Sequence, residues 1–170
     1  MKTFEELKEE LLNRAKNANA YQNGYKMGLD AKNKADLLKA ITANWFWALI
    51  DVRIVDAIYL EENFTEEELS EAGIYTRKCH EVRAVSFACG SATVKACGSA
   101  TVRAYDSATV EAYGSATVEA YDSATVRACD ESYVEDCTGN IRPRYDYAIV
   151  KDYHNHKIYI RKGKFEIIEV

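Results

Sequence analysis

From Ala88 the chain repeats itself every eight residues: Ala-Cys-Gly-Ser-Ala-Thr-Val-Lys, then Ala-Cys-Gly-Ser-Ala-Thr-Val-Arg from Ala96. Ala104, Ala112 and Ala120 open three more units with Tyr in the second slot, and Ala128 opens a degenerate one, Ala-Cys-Asp-Glu-Ser-Tyr-Val-Glu. Ala84 and Asp136 mark irregular boundary units. An octad is too small to bury a core alone, so the units must stack on one another. Each divides into six extended residues, Ala-Thr-Val-x-Ala-Tyr, and a two-residue corner, Gly-Ser or Asp-Ser. Side chains alternate along a strand. Ala100, Val102 and Ala104 therefore share a small apolar face that belongs inside, and Thr101, Arg103 and Tyr105 share the outer one.

Alternation also separates two ways of stacking. An antiparallel meander sets Cys97 opposite Ala100 and Lys95 opposite Val102, and directly paired residues lie on one sheet face. The apolar face of one strand would then run into the charged face of the next. Parallel coils stack identical slots and avoid that conflict, so the pattern predicts a short parallel β-solenoid. The variable charge bears on the number of octads per coil. With two, residues sixteen apart are neighbours: Lys95–Glu111, Glu111–Arg127 and Arg103–Glu119 attract and only Glu119–Glu135 repels. With three, Lys95–Glu119 attracts while Arg103–Arg127 and Glu111–Glu135 repel. Each pair is worth only about 0.2–1 kcal/mol. The two-octad coil is favoured and a triangular coil stays open. At about 0.8 kcal/mol per buried CH₂, side-chain stabilisation falls mainly on Val94, Val102, Val110, Val118, Val126 and Val134.

The flanks read differently, giving an α+β chain with a helical cap region over 1–83, the solenoid over 84–137 and a β-strand cap over 138–170. Thr3 with Glu6 forms a capping box, followed by Phe4, Leu7, Leu11, Ala15 and Ala18 at helical spacing. Gly24 and Gly28 indicate a loop. A second helix is expected from Lys34 into the low 50s, its tryptophans Trp45 and Trp47 forming a core or projecting as a binding hot spot. Helix is favoured over 56–64. Thr65 to Glu68 repeats the capping box, and Gly73 stops that helix. At the other end, 145–153, 157–160 and 165–170 alternate like strands, with a turn at Lys162-Gly163-Lys164. A solenoid has two open ends, and the helical and C-terminal segments are expected to cover one each.

Charge narrows the function classes. The chain of 170 residues carries a net −5. Residues 84–137 hold three bases (Lys95, Arg103, Arg127) against eight acids (Asp106, Glu111, Glu119, Asp122, Asp130, Glu131, Glu135, Asp136), whereas 138–170 hold seven bases and four acids. An acidic repeat argues against direct nucleic-acid binding by that segment, because phosphate contacts need bases. No apolar run reaches membrane-spanning length, and the start, Met1-Lys2-Thr3-Phe4-Glu5-Glu6, lacks the apolar core of a signal peptide. A cytoplasmic location is expected. Cys79, Cys89, Cys97, Cys129 and Cys137 are odd in number and lack C-x-x-C spacing, so they read as reduced packing residues.

Motifs for catalysis are weak. His154-Asn155-His156 is an adjacent triplet, unlike the dispersed His and Asn of HNH nucleases, and reads as a polar turn. The serine and threonine ladders have no nearby His to activate a hydroxyl. A single Thr per octad, flanked by charges, is a poor ice-binding face. No cofactor or metal site is expected. The outer Tyr slots carry more weight: Tyr105, Tyr113 and Tyr121, bordered by Asp106 and Asp122, either stack on one another or form a protein-binding surface.

The octad Ala-Tyr-Gly-Ser-Ala-Thr-Val-Glu resembles those of small octapeptide-repeat β-solenoid proteins of gut bacteria, phages and mobile elements. The layout of helical start, Thr-Val-x-Ala-Tyr repeat and ending like 145–170 is similar as well. The resemblance implies a solenoid in a phage or mobile-element setting and carries over no catalytic residues. The octads of phage puncturing needles have a Val-x-Gly pattern that is absent here.

These readings lead to a non-enzymatic protein-interaction module, an acidic rod that blocks the nucleic-acid channel of a bacterial defence nuclease in the manner of an anti-CRISPR inhibitor. Its partner-binding candidates are Tyr105, Asp106, Glu111, Tyr113, Glu119, Tyr121, Asp122, Asp130 and Glu135. The alternative is a structural β-helix component that forms homo-oligomers. A third reading, an enzyme using His154 and His156 with a metal, is open to metal analysis of the purified protein.

Overall fold

In a computed structural model the chain forms two compact units, Met1–Ile74 and Tyr75–Val170. The structure describes residues 2–145, 147–166 and 168.

The first unit is helical. Helix α1 (Phe4–Asn17) begins at Thr3, whose hydroxyl accepts the Glu6 N–H while the Glu6 carboxylate accepts the Thr3 N–H. It buries Leu7, Leu11 and Ala15. Where Gly24 and Gly28 indicate a loop, the chain instead forms α2 (Gln22–Asp30). The two glycines serve close approach rather than a turn. A Cβ on Gly24 would stand 2.9 Å from the Asn44 carboxamide oxygen, and one on Gly28 3.2 Å from Leu12. The helix expected from Lys34 into the low 50s is broken: α3 spans Lys34–Ala43 and a π-helix Trp47–Asp51. Asn44 accounts for the break. Its side-chain amide donates to the Ala40 carbonyl at 2.8 Å, and its backbone N–H moves to Ile41. A π-turn then absorbs the extra residue. Trp45 is buried, and it is Phe46 that projects, 51% exposed. Asp56 caps α4 (Ala57–Asn63), and the Thr65–Glu68 box opens α5 (Glu66–Glu71), which ends before Gly73 at φ +73°.

The second unit is a two-sided parallel β-solenoid. Strand β1 is Ile74–Tyr75, at the junction of the units, and β2 is Cys79–Val82. Then come β3 (Ser86–Ala88), β4 (Thr93–Ala96), β5 (Thr101–Ala104), β6 (Thr109–Ala112), β7 (Thr117–Ala120), β8 (Thr125–Ala128) and β9 (Tyr133–Asp136). After an irregular segment, β10 (Ile149–Asp152) and β11 (Lys157–Tyr159) end the ladder. One sheet runs β1-β3-β5-β7-β9-β10-β11 and the other β2-β4-β6-β8. Thr93 pairs with Thr109 and Thr109 with Thr125, while Thr101 pairs with Thr117, so each coil takes two octads and like slots stack. The triangular coil is excluded. Parallel pairing already starts at β2, whose Cys79 meets Thr93, ahead of the expected boundary after residue 83. Strand assignment covers four residues per octad rather than six.

Inside lie the Ala-Val-Ala slots. Ala100, Val102, Ala104, Ala108, Val110 and Ala112 are fully buried. The corners need a positive φ, met by Gly98 (+66°) and Gly114 (+63°) and by Asp106, Asp122 and Asp130 (+51° to +53°). Glycine and aspartate are among the residues that tolerate this region. Asp also ties coils together: the Asp106 carboxylate accepts the Gly90 N–H at 3.1 Å and Asp130 the Gly114 N–H at 2.9 Å.

The ladder ends differently on its two sides. In one sheet β10 pairs in parallel with β9, and β11 returns antiparallel on β10. In the other, the position sixteen past β8 brings Ile141-Arg142-Pro143-Arg144, and proline cannot donate to a ladder. Among the described residues the Arg144 N–H reaches the Ala128 carbonyl, at 3.2 Å, and Val126 is the repeat valine left partly open. Two carboxylates line the turn. Asp136 occupies an inner Ala slot, fully buried, and accepts from the Thr138 N–H and hydroxyl and from the Gly139 and Ile141 N–H groups at 2.7–3.0 Å. Asp152 stacks on it in register. Burial opposes the charge of Asp152, but the Asn155 side chain and N–H and the Arg142 guanidinium hold its carboxyl below the usual range. Of the strands expected over 145–153 and 165–170, only Ile149–Asp152 forms; Phe165, Glu166 and Ile168 are not in a strand, and 167, 169 and 170 lie outside the described residues.

Ser132 sits fully buried in another inner Ala slot, and among the described residues its hydroxyl has no hydrogen-bond partner. Ser132→Ala, which restores the repeat, should stabilise the protein by about 1 kcal/mol by removing an unsatisfied polar group. The midpoint of urea unfolding checks this, and an unchanged or lower midpoint contradicts it.

Candidate functional site

Stacking sorts the nine candidate residues onto two sides. Tyr105, Asp106, Glu119, Tyr121, Asp122 and Glu135 lie on or just after the strands of the longer sheet, β5, β7 and β9. Glu111, Tyr113 and Asp130 belong to the other side, on or after β6 and β8. No single surface of the repeat holds all nine.

The second octad slot forms a column at each corner. Backbone ladders place Cys89, Tyr105, Tyr121 and Cys137 in one, and Cys97, Tyr113 and Cys129 in the other. Tyr105 is not on the outer surface: it is 1% exposed. Its ring lies flat against Tyr121, with centroids 5.1 Å apart and planes 5° from parallel. Coils stack about 4.8 Å apart, close to ring-stacking distance, so the ladder brings the two rings face to face. Tyr121 is half-buried. Burial, then Tyr121, pushes the Tyr105 hydroxyl well up. Burial, then Glu119, pushes Tyr121 up to about 12.

Those shifts predict alkaline melting. The folded column keeps its protons while an unfolded tyrosine ionises near the ordinary value of 10.0. The stabilisation is therefore fully present below pH 10 and is lost as pH rises through about 12. Urea midpoints across that range, read beside tyrosinate absorbance, should fall; constant midpoints contradict the assignment.

The wall acids are largely engaged within the solenoid. Arg103 Nε donates to Glu119 at 2.9 Å, and Arg127 donates to Glu111 at 3.4 Å. The Tyr113 hydroxyl donates to Glu111 at 3.0 Å and the Tyr121 hydroxyl to Glu119 at 3.5 Å. The like-charge contact between Glu119 and Glu135 is present in the register. It is relieved by the hydroxyls of Tyr133 and Tyr153, which both donate to Glu135 at 3.3 Å, and Lys151 donates to Tyr153 at 2.7 Å. Aspartates stand at the corners. Asp122 and Asp130 are exposed and Asp106 partly so.

The cysteines are free thiols. Burial raises Cys129 above the usual thiol range, and partial desolvation followed by Asp136 raises the more exposed Cys137, which makes both weak nucleophiles. His154, Asn155 and His156 form an exposed turn between β10 and β11. Among the described residues no group of three or more His, Cys, Asp or Glu could hold a metal ion, and no helix is long and apolar enough to cross a membrane.

One feature of the helical unit escaped the sequence. A small apolar cavity, about 60 Å³, is lined by Leu11, Leu12, Gly28, Leu37, Ile41 and Trp47, among others. Gly24 and Gly28 were its only signal, and they read equally well as a loop.

No protein-family model, no curated protein and no solved structure matches the chain. The β-solenoid stands on the structure.

Proposed function

We propose that the protein is a non-enzymatic interaction module that inhibits a bacterial defence nuclease, such as an RNA-guided CRISPR nuclease, in the cytoplasm. One observation carries the reading. A rigid ladder, closed here by the Ser123 N–H on the Asp106 carbonyl, holds Asp106 and Asp122 one coil from each other on one corner, next in the chain to Tyr105 and the half-buried Tyr121, with Glu135 on β9 of the same sheet. Carboxylates at a fixed coil spacing beside an aromatic suit a basic channel built for a phosphate backbone. The Tyr121 column supplies the apolar contact, and the interaction uses no bound metal or cofactor.

Co-purification from bacterial lysate followed by a cleavage assay with the captured nuclease tests this. Wild type should inhibit, and D106N/D122N/E135Q, which removes the charge but keeps residues that tolerate the corner backbone and can accept the Gly90 N–H, should lose inhibition at least in large part while keeping its melting curve. If no nuclease is bound or inhibited, the reading fails. The structural alternative has an observation of its own: β11 is the last strand of its sheet and exposes Ile158 at 66%. Light scattering decides it, because a monomer excludes a homo-oligomeric β-helix part.

A further inference from the structure

The C-terminal end of the solenoid carries charge opposite to its walls, with seven basic and four acidic side chains over 138–170. Arg144, Arg161, Lys162 and Lys164 are all exposed, and the fold gathers them. The Arg161 guanidinium donates to the Arg144 carbonyl at 3.0 Å. The turn at 161–164, closed from the Lys164 N–H to the Arg161 carbonyl at 3.4 Å, carries Lys162 and Lys164. Two aromatic rings stand among them. Tyr147 is 52% exposed and Phe165 38%, edge to face at 6.1 Å, and the Lys164 ammonium lies 5.8 Å from the Tyr147 centroid. Neither ring belongs to the solenoid core, so packing does not account for them.

We infer that this end binds single-stranded nucleic acid, with the four cations tracking phosphates and Tyr147 and Phe165 offering faces on which bases stack. Exposed aromatics beside clustered cations are the usual means of holding single strands without sequence preference. An acidic protein would use the cations and leave the ring faces idle. A second copy of this chain offers few wall acids, since Glu111 and Glu119 are already paired with Arg127 and Arg103. Duplex recognition calls for an element that enters a groove, and the regular structure here is the three-residue strand β11. The inference uses no residue of the corner face and stands apart from the nuclease reading.

Fluorescence anisotropy of the full chain with labelled oligo-dT and oligo-U of about 12 nucleotides tests it. Both strands should bind, with a log–log salt slope of about −2 to −3, as expected for four phosphate contacts on a single strand. R144E/R161E/K164E should weaken binding by about tenfold or more and flatten the slope. Tyr147→Ala should weaken binding by about tenfold and leave the slope unchanged. K162E/K164E, confined to an exposed turn, serves if the triple variant melts early. Absence of binding at low salt overturns the proposal, as does retained binding by the charge variants. It also falls if a duplex binds equally well, or if polyglutamate competes equally well and Tyr147→Ala has no effect, which would mark a site for acidic protein.

Discussion

Asp136→Ala should lower the unfolding free energy by about 3 kcal/mol or more, although it restores the alanine that the repeat carries at that slot. Counting repeats alone predicts the opposite, since Ala is the residue proven by Ala104, Ala112, Ala120 and Ala128. The local hydrogen bonds decide. The carboxylate takes the Thr138 N–H and hydroxyl, the Gly139 N–H and the Ile141 N–H. Gly139 and Ile141 are buried, so removing the acceptor strands two N–H groups away from water. Asp136 thus ends one octad and shapes the segment that brings Ile141 into the core. Urea unfolding of Asp136→Ala beside Ser132→Ala makes a paired test: two reversions to the repeat, one destabilising and one stabilising. A gain in both would mean that slot identity outweighs hydrogen-bond satisfaction.

Ala112→Leu should cost about 3 kcal/mol, near the top of the range for overpacking, and lower the melting temperature by roughly 10 °C. Ala112 is fully buried and stacked in register between Ala96 and Ala128. Its Cβ direction is set by ladders on both sides, so the larger side chain can be admitted only by parting the two sheets. Backbone hydrogen bonds hold each strand to the coil before and after it, and that movement cannot stay local. Lys95→Leu, on the outer wall, is the control and should shift the melt little. A melt of Ala112→Leu as high as that of Lys95→Leu would show that the interior has room, contrary to the thin Ala-Val-Ala cross-section.

Much of this architecture was legible in the residues. The inward Ala-Val-Ala slots follow from backbone alternation, which every strand obeys whatever its surroundings. The two-octad coil followed from four pairs among six charged positions, and the register places Arg103 on Glu119 and Glu111 on Arg127. The same register confirmed the one unfavourable neighbour, Glu119 with Glu135. Capping boxes at Thr3 and Thr65 were readable because the partners lie three residues apart.

Other features depended on what stacking brought together. An alternating pattern assigns Tyr105 and Tyr121 to the same outer face, yet in the folded coil the two rings stack on each other and one is buried while the other is half-open. An acid count gives the repeat its negative charge, while the coil pairs Glu111 and Glu119 with arginines and sets Asp122 and Asp130 exposed at the corners. Gly24 and Gly28 carry the same letters in a loop as in a close helix contact, and the side chains of Asn44 and Leu12 decided between them. Asp136 read as a broken repeat until the donors around it were in place. Period, face and coil number are thus properties of the sequence, because they arise from backbone geometry repeated unit by unit. Exposure, charge pairing and the division of the candidate residues over two sides belong to the tertiary structure, because each depends on which atoms a neighbouring coil or helix places within a few ångströms.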